Sequence, residues 1–306
     1  MTSHPSPVTR HLKLALIGAK GMLAQAILRT VPDCYEVHCY DLPEFNMTDR
    51  EQVLSTLDSL RPDIVINCAA FTNVDGCETQ EDLAVQVNGT AVGFLAEAVR
   101  RIDATLVHIS TDYVFDGNKR EPYLEEDKVA PQSAYGRSKL AGEQALLGSG
   151  LEKYFIVRTS WLYGPGGNNF VETMIRLAAE REELRVVADQ IGSPTYTDDL
   201  AEAIFNLLKL TGHPSPVTRH GHSAHPSPPP TVFIIFRTAV SAAGISLQKR
   251  SSLWRASSIC RSRPRWFSRL LRKSIHSRPK GPPIRFFPKK SIKMLPEQQF
   301  PSGGIV

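Results

Sequence analysis

Tyr135 and Lys139, in the run Tyr135-Gly136-Arg137-Ser138-Lys139, are the first residues whose types and spacing suggest chemistry. On a helix, positions i and i+4 share a face, so both side chains enter one site. A phenol with an ordinary pKa of about 10 is a poor acid or base at neutral pH unless a neighbouring cation stabilises its phenolate. Lys139 is such a cation. Tyr-x-x-x-Lys also arises by chance on protein surfaces, so the pair gains meaning only from its surroundings. Ser110-Thr111-Asp112-Tyr113 ends a strand-like run, Thr105–Ser110. Ligands of open α/β sheets gather at the carboxyl ends of strands.

A second cluster lies near the start of the chain. Gly18-Ala19-Lys20-Gly21-Met22-Leu23-Ala24 directly follows an apolar strand pattern and opens a helical one. Glycine at 18 permits a tight turn, glycine at 21 lets main-chain N–H groups approach a pyrophosphate, and Ala24 allows close helix–strand packing. The spacing is G-x-x-G-x-x-A rather than G-x-G-x-x-G, and such a pattern is read by its place. It sits on the first βα unit, and Asp41 ends the second strand 20 residues after Gly21. A carboxylate there can accept from ribose hydroxyls and repel a 2′-phosphate, which favours NAD. Lys20 in the loop can attract that phosphate instead. The cofactor is therefore expected to be NADPH or NADH, with the choice open.

These residues need a frame to hold them. Strand patterns at Leu12–Gly18, Val37–Asp41, Asp63–Ala69, Thr105–Ser110 and Tyr154–Thr159 alternate with helical ones. The helices are expected at Met22–Thr30, Arg50–Leu60 (Asp49 as N-cap), Glu81–Arg101, Tyr135–Leu147 and Phe170–Arg181, with a short further strand at Leu184–Val187. Such alternation predicts an α/β fold: a Rossmann-type, doubly wound parallel sheet with helices on both faces.

Taken together, the glycine loop, Asn67-Cys68-Ala69-Ala70, Ser110-Thr111-Asp112-Tyr113-Val114-Phe115 and Tyr135-x-x-x-Lys139 resemble the extended short-chain dehydrogenases/reductases. Ala70-Phe71-Thr72-Asn73-Val74-Asp75, Arg158-Thr159-Ser160-Trp161-Leu162-Tyr163, Gly167-Asn168-Asn169-Phe170 and Asp189-Gln190-Ile191-Gly192-Ser193-Pro194-Thr195 are similar to the dTDP-4-dehydrorhamnose reductases among them. The resemblance covers residues 12–212. It implies that Tyr135 protonates a sugar C4 carbonyl oxygen and that Lys139 lowers the tyrosine's pKa and holds the nicotinamide ribose. Thr111 would hydrogen-bond the carbonyl; Thr111 and Asp112 would fix the sugar, and Trp161 would face it. Gly18, Lys20, Gly21, Met22, Leu23, Asp41, Ala69, Ala70 and Thr72 would line the cofactor together with Tyr135 and Lys139. The implied partner is a dTDP-sugar, with a homodimer among the expectations. An epimerase or dehydratase relative, or a protein that binds cofactor without turnover, are the alternatives.

Composition bounds the remaining classes. The 306 residues carry a net charge of +5, but it divides unevenly. Residues 1–212 hold 19 Lys+Arg against 30 Asp+Glu, a balance of −11; residues 213–306 hold 17 against the single acid Glu297, a balance of +16. No apolar run approaches the length of a membrane span. Met1–Lys13 has no apolar leader core, and five cysteines without a Cys-x-x-Cys pair argue against disulfides or a zinc ribbon, so reduced thiols in the cytoplasm are expected.

The chain divides into a tail (1–11), a cofactor-binding domain carrying the reactive residues (12–212), a Pro/His-rich linker (213–230) and a basic segment (231–306). His213–His220 repeats His4–His11 residue for residue, and the strand–helix order gives way there to Ser/Arg/Pro-rich sequence. The family's C-terminal substrate domain, with its Arg-Pro segment, is unrecognisable; the stretch is expected to be disordered or the product of a repeat insertion and frame shift. Arg261–Lys273 with Trp266 and Phe267 has the composition of a nucleic-acid binder, yet nucleic acid is not an expected partner. His220, His222 and His225 belong to the low-complexity repeat, and no metal is expected.

Overall fold

The computed structural model describes residues 11–181, 183–184, 186, 190, 192–210, 232–235, 246–250 and 253–257. The expectations for residues 1–10, for 213–230 and for most of 231–306, including the basic aromatic stretch and the histidine repeat, lie outside the described residues.

Two compact units divide the chain, the first taking residues up to Val171 and Ser193–Val240. Its centre is a parallel sheet built from β1 (Leu12–Ile17), β2 (Tyr35–Tyr40), β3 (Ile64–Asn67), β4 (Thr105–Thr111), β5 (Tyr154–Thr159) and β8 (Val232–Ile235). The spatial order is β2-β1-β3-β4-β5-β8. Strand order reverses between β1 and β3, and that reversal opens a crevice at the carboxyl edge. Register is specified throughout: Ile17 lies against Tyr40 and Asn67, and Thr111 against Thr159.

The connecting helices are α1 (Met22–Thr30), α2 (Arg50–Leu60), the short α3 (Val74–Thr79), α4 (Glu81–Val85), α5 (Ala91–Arg101), α6 (Ala134–Leu147) and α8 (Thr197–Leu210). Strands β1, β3 and β5 are apolar almost throughout, as strands buried on both faces must be. One face packs Leu14, Leu16 and Ile66 against Leu23 and Ile27 of α1 and Ile204 and Phe205 of α8. The other packs Ala15, Val65 and Leu106 against Leu57 of α2, Leu95 of α5 and Leu146 of α6. Helices therefore cover both faces, as the alternating pattern requires. Asp49 caps α2, its side chain accepting from the N–H of Gln52.

Three details differ from the sequence expectation. The helix expected at Glu81–Arg101 is divided by a π turn at Gln86–Thr90, where Asn88 is buried. π turns are commonly accommodated where a side chain has to be re-aimed inward. Leu184 and Val186 have no regular structure, and Arg185 and Val187 lie outside the described residues; a two-residue ladder forms instead between β6 (Leu162–Tyr163) and β7 (Thr195–Tyr196). The sequence reading put no strand beyond Gly212, yet β8 extends the sheet there, pairing Val232–Ile235 with Phe155–Arg158. A short apolar run suits the free ladder edge that β5 presents.

The second unit takes Glu172–Gly192 and Ser241–Gln299. It carries most of α7 (Phe170–Glu180), along which Arg176 pairs with Glu180 at i+4, and an antiparallel pair, β9 (Ser246–Arg250) with β10 (Leu253–Ser257). Among the described residues no helix is long and apolar enough to cross a membrane.

Candidate active site

The glycine loop leaves β1 through Gly18, whose φ of +75° is accessible at little cost only to glycine. A Cβ at Gly18 would stand 2.5 Å from the N of Ala69, so the first and third strands meet only because the side chain is missing. Gly21 is the N-cap of α1 and contributes no side-chain hydrogen bond. The first-turn N–H groups of α1 are thereby offered to an anion. Leu23 turns its side chain into the core, so only its main chain can serve a ligand.

Asp41 clamps this loop. Its Oδ2 accepts from the N–H of Lys20 at 2.6 Å and its Oδ1 from the N–H of Leu42 at 2.8 Å. The Lys20 ammonium donates to the carbonyl of Leu42 and lies 3.7 Å from Glu44. Ala19, Lys20, Tyr40, Asp41, Glu44 and Phe45 help line a cleft of about 470 Å³, within the range of small-ligand sites. The cradle at Gly18, the uncapped start of α1 and this cleft have the size and the N–H donors that a dinucleotide requires. Gly164–Asn169 closes over Met22, with Asn169 Nδ2 on the carbonyls of Gly164 and Gly167, both at 3.1 Å, and 3.7 Å from the Met22 sulfur.

After β3, Asn67 Oδ1 accepts from the N–H of Ala69 at 3.1 Å. That fixes the amide, so its NH₂ faces Nδ1 of His108 at 3.2 Å, and the imidazole carries its proton on Nε2. Burial holds His108 well below its usual pKa, with the Lys139 charge adding to the effect, so the ring is neutral. Ala70 is half-buried and Thr72 exposed on the loop that follows. Asn88 ties this loop down: its Oδ1 accepts from the N–H of Phe71 at 2.8 Å, and its Nδ2 reaches the Phe71 carbonyl at 2.9 Å and Ser138 Oγ at 3.0 Å.

α6 delivers Tyr135 and Lys139 to the same edge. Its first turn is held from two sides, Ser133 Oγ accepting from the N–H of Gly136 and the Glu78 carboxylate from the N–H of Ala134. The Tyr135 hydroxyl stands close enough to the Thr111 side chain for the two to act on each other. Thr111, almost fully buried, also accepts from the N–H of Tyr113 and donates to Asp112 at 3.2 Å. The Tyr113 ring meets Tyr135 edge-on at 5.5 Å. Burial pushes the Tyr135 phenol above its usual pKa; the nearby Thr111 hydroxyl opposes that rise and the Asp112 charge adds to it.

Lys139 is 2% exposed and donates to the carbonyl of Ile109 at 2.7 Å. Burial brings its ammonium down to about 8, while Glu143 and Cys68 pull the other way. Through the Ile109 carbonyl, Lys139 ties α6 to β4 two residues before Thr111. Trp161 stands two residues beyond Thr159, the β5 partner of Thr111. It is 38% exposed and holds a φ of +44°, an unusual conformation for a bulky residue and one that clusters at functional positions. Its carbonyl accepts from the N–H of Thr195 at 3.2 Å.

Sequence reasoning passed over Ser110, Glu143 and Arg158, which lie beneath these residues. Glu143 continues the Tyr135, Lys139 stripe by four more positions, a signal that was present in the spacing. Arg158 opened one of the blocks that carry the resemblance but was given no role, and Asn88, in its π turn, carried no signal. Among the described residues no three His, Cys, Asp or Glu side chains gather to hold a metal ion.

A family model described as the RmlD substrate binding domain matches residues 12–225. The spore coat polysaccharide biosynthesis protein SpsK of Bacillus subtilis (strain 168) is 47% identical over 203 residues, covering 66% of this chain and 70% of its own length. A dTDP-4-dehydrorhamnose reductase of Aggregatibacter actinomycetemcomitans is 44% identical over 199 residues, 64% of this chain and 67% of its own. Among solved structures, that of a dTDP-4-dehydrorhamnose reductase from Bacillus anthracis in complex with NADP is 46% identical, with a TM-score of 0.63, covering 65% of this chain and 70% of that one.

Proposed function

The chain belongs to the RmlD substrate binding domain family, and from that membership and the site's geometry we propose that it reduces the C4 ketone of dTDP-4-dehydrorhamnose to dTDP-L-rhamnose, using NADPH or NADH. The observation that carries this reading is the placement of Tyr135 next to Thr111, with buried Lys139 one turn on along α6, at the sheet edge that also bears the glycine cradle.

When bound, the reduced nicotinamide supplies a hydride to the carbonyl carbon. Gly18, Gly21, Met22 and the Leu23 main chain would hold the phosphates, Asp41 and Lys20 would border the adenosine, and Ala69, Ala70 and Thr72 would line the remainder. Tyr135 gives its phenolic proton to the C4 oxygen, so that carbonyl, hydride and proton balance as a secondary alcohol. A phenol held protonated by burial is an acid at every working pH, and it needs help only once the proton has left. Thr111 supplies part of that help as a hydrogen-bond donor to the phenolate or to the substrate oxygen. The Lys139 cation supplies the rest, lowering the cost of the phenolate in a site with little water. Asp112 and Trp161 orient the sugar. The reading includes a soluble cytoplasmic enzyme and a homodimer, which fractionation and sedimentation test.

The decisive assay is oxidation of NADPH or NADH by the full chain with dTDP-4-keto-6-deoxy-L-mannose, followed by product analysis. One equivalent of cofactor consumed per dTDP-L-rhamnose formed is expected. Turnover of a nucleotide sugar without net cofactor consumption would point to an epimerase or dehydratase and overturn the assignment. Cofactor binding without turnover would do the same in favour of a binding protein.

A further inference from the structure

Below the Tyr135–Lys139 pair lies a charged group that the reaction as described does not use. Glu143 is 1% exposed, and it stands one helical repeat beyond Lys139 on the same face of α6. Its Oε1 accepts from Ser110 Oγ at 2.5 Å and from Arg158 Nε at 3.0 Å, and its Oε2 accepts from Arg158 Nη2 at 2.7 Å. Arg158 is itself 3% exposed. Its remaining terminal nitrogen, Nη1, reaches the carbonyl of Glu125 at 3.2 Å, and its guanidinium lies 5.1 Å from the centre of the Phe115 ring.

The geometry divides the work on β4 between neighbouring residues. Ile109 gives its carbonyl to Lys139, and Ser110 gives its hydroxyl to Glu143. A bidentate guanidinium and a hydroxyl leave the carboxylate little freedom to move. Of the two buried cations, Arg158 holds Glu143 directly, and Lys139 stands one helical turn from it on the same face of α6. Without that anion, burial would favour the neutral amine of Lys139, since desolvation always penalises the charged form. The other titratable groups acting with Lys139 are Cys68, after β3, and His108, on β4. Burial pushes the Cys68 thiol up to about 12 and keeps His108 neutral, so neither supplies a negative charge near pH 7.

We propose that Glu143 is a positioning residue for the reduction: pinned by Ser110 and Arg158, its carboxylate keeps Lys139 a cation at the depth where Tyr135 needs one. The proposal rests on the reductase reading above for its consequence, but not for its measurement. Through Arg158 the same carboxylate also steadies Glu125 and Phe115, in the segment that follows the Thr111–Asp112 turn.

The test reads the protonation of Lys139 directly, by following the 15N shift of its Nζ with pH in the full chain, the signal assigned by its loss in Lys139→Arg. In Glu143→Gln the midpoint should fall by about one pH unit or more, because an attracting charge has gone and Arg158 remains. In Arg158→Met it should rise, because a repelling charge has gone and Glu143 has lost its nearer cation. Opposite directions from the two variants cannot come from loosened packing, which would move both alike. If Glu143→Gln does not fold, Glu143→Gln combined with Arg158→Met removes the unmatched buried charge, and a smaller downward shift is expected. An unchanged midpoint in whichever of these folds overturns the proposal. Loss of turnover in the unaltered chain with a normal Lys139 titration would sink the reductase reading and leave this inference standing.

Discussion

The Tyr135 hydroxyl and the Thr111 side chain meet within interaction range at the end of β4, although the two residues are 24 positions apart. The acid and the group that orients it come from different elements, and α6 has to be held in register for them to meet. If Tyr135 is the proton donor, Tyr135→Phe removes the proton and keeps the ring. A loss of about 10²–10⁴ in kcat is expected, with NADPH affinity nearly unchanged by calorimetry. Thr111→Val should cost about 10² in kcat with the fold intact. A Tyr135→Phe enzyme that turns over normally removes Tyr135 from the mechanism.

Lys139 gives the rate a pH signature. Its ammonium is brought down to about 8 by burial, so it is a cation below that value and a neutral amine above it. Tyr135, shifted upward, stays protonated across the same range. The reduction rate should therefore be level from roughly pH 6 to 7 and decline about tenfold per unit well above the Lys139 midpoint. Lys139→Met should be slow at every pH and should lack that decline. A pH–rate profile that stays flat to pH 10 in the unaltered chain would contradict the role given to the lysine.

Asp41 holds the glycine loop through two main-chain N–H groups as well as bordering the adenosine cleft. Asp41→Ala releases two charge-assisted hydrogen bonds before any cofactor contact is counted. The expected outcome is a rise of about tenfold in KM for both NADH and NADPH, with kcat little changed. A variant that loses NADH selectively while gaining NADPH would assign Asp41 to repulsion of the 2′-phosphate instead.

Two glycines form a matched test of the packing around α6. A Cβ at Gly142 would stand 2.1 Å from the carbonyl oxygen of Asn88, whereas one at Gly93 would rest 3.6 Å from the Ala145 methyl. Gly142→Ala should lower stability by about 1–3 kcal/mol or more by urea denaturation, since backbone cannot yield as a side chain can. Gly93→Ala should be neutral or gain up to about 1 kcal/mol, the helix propensity of alanine over glycine. Equal effects at the two sites would mean that α6 and the π turn can move apart.

Local pattern carried the parallel sheet, the cover of helices on both faces, Asp49 as the cap of α2 and the grouping of Tyr135 with Lys139, because periodicity and i,i+4 spacing are properties of adjacent residues. The same stripe extended to Glu143, but a carboxylate at i+8 has meaning only once its partner Arg158 is known, and Arg158 comes from another strand. Tertiary structure alone decided that Asp41 grips the Lys20 and Leu42 amides, that the amide of Asn67 fixes the tautomer of His108, and that Asn88 ties the Phe71 loop to Ser138. It also decided that Val232–Ile235 completes the sheet beside β5, in a stretch whose composition promised no strand. Apart from the Asp41–Leu42 contact, each of these is a pairing between residues distant in the chain. Sequence determines which groups are available and which local face they share; desolvation and hydrogen-bond partners, which set charge, tautomer and register, exist only once distant segments have packed.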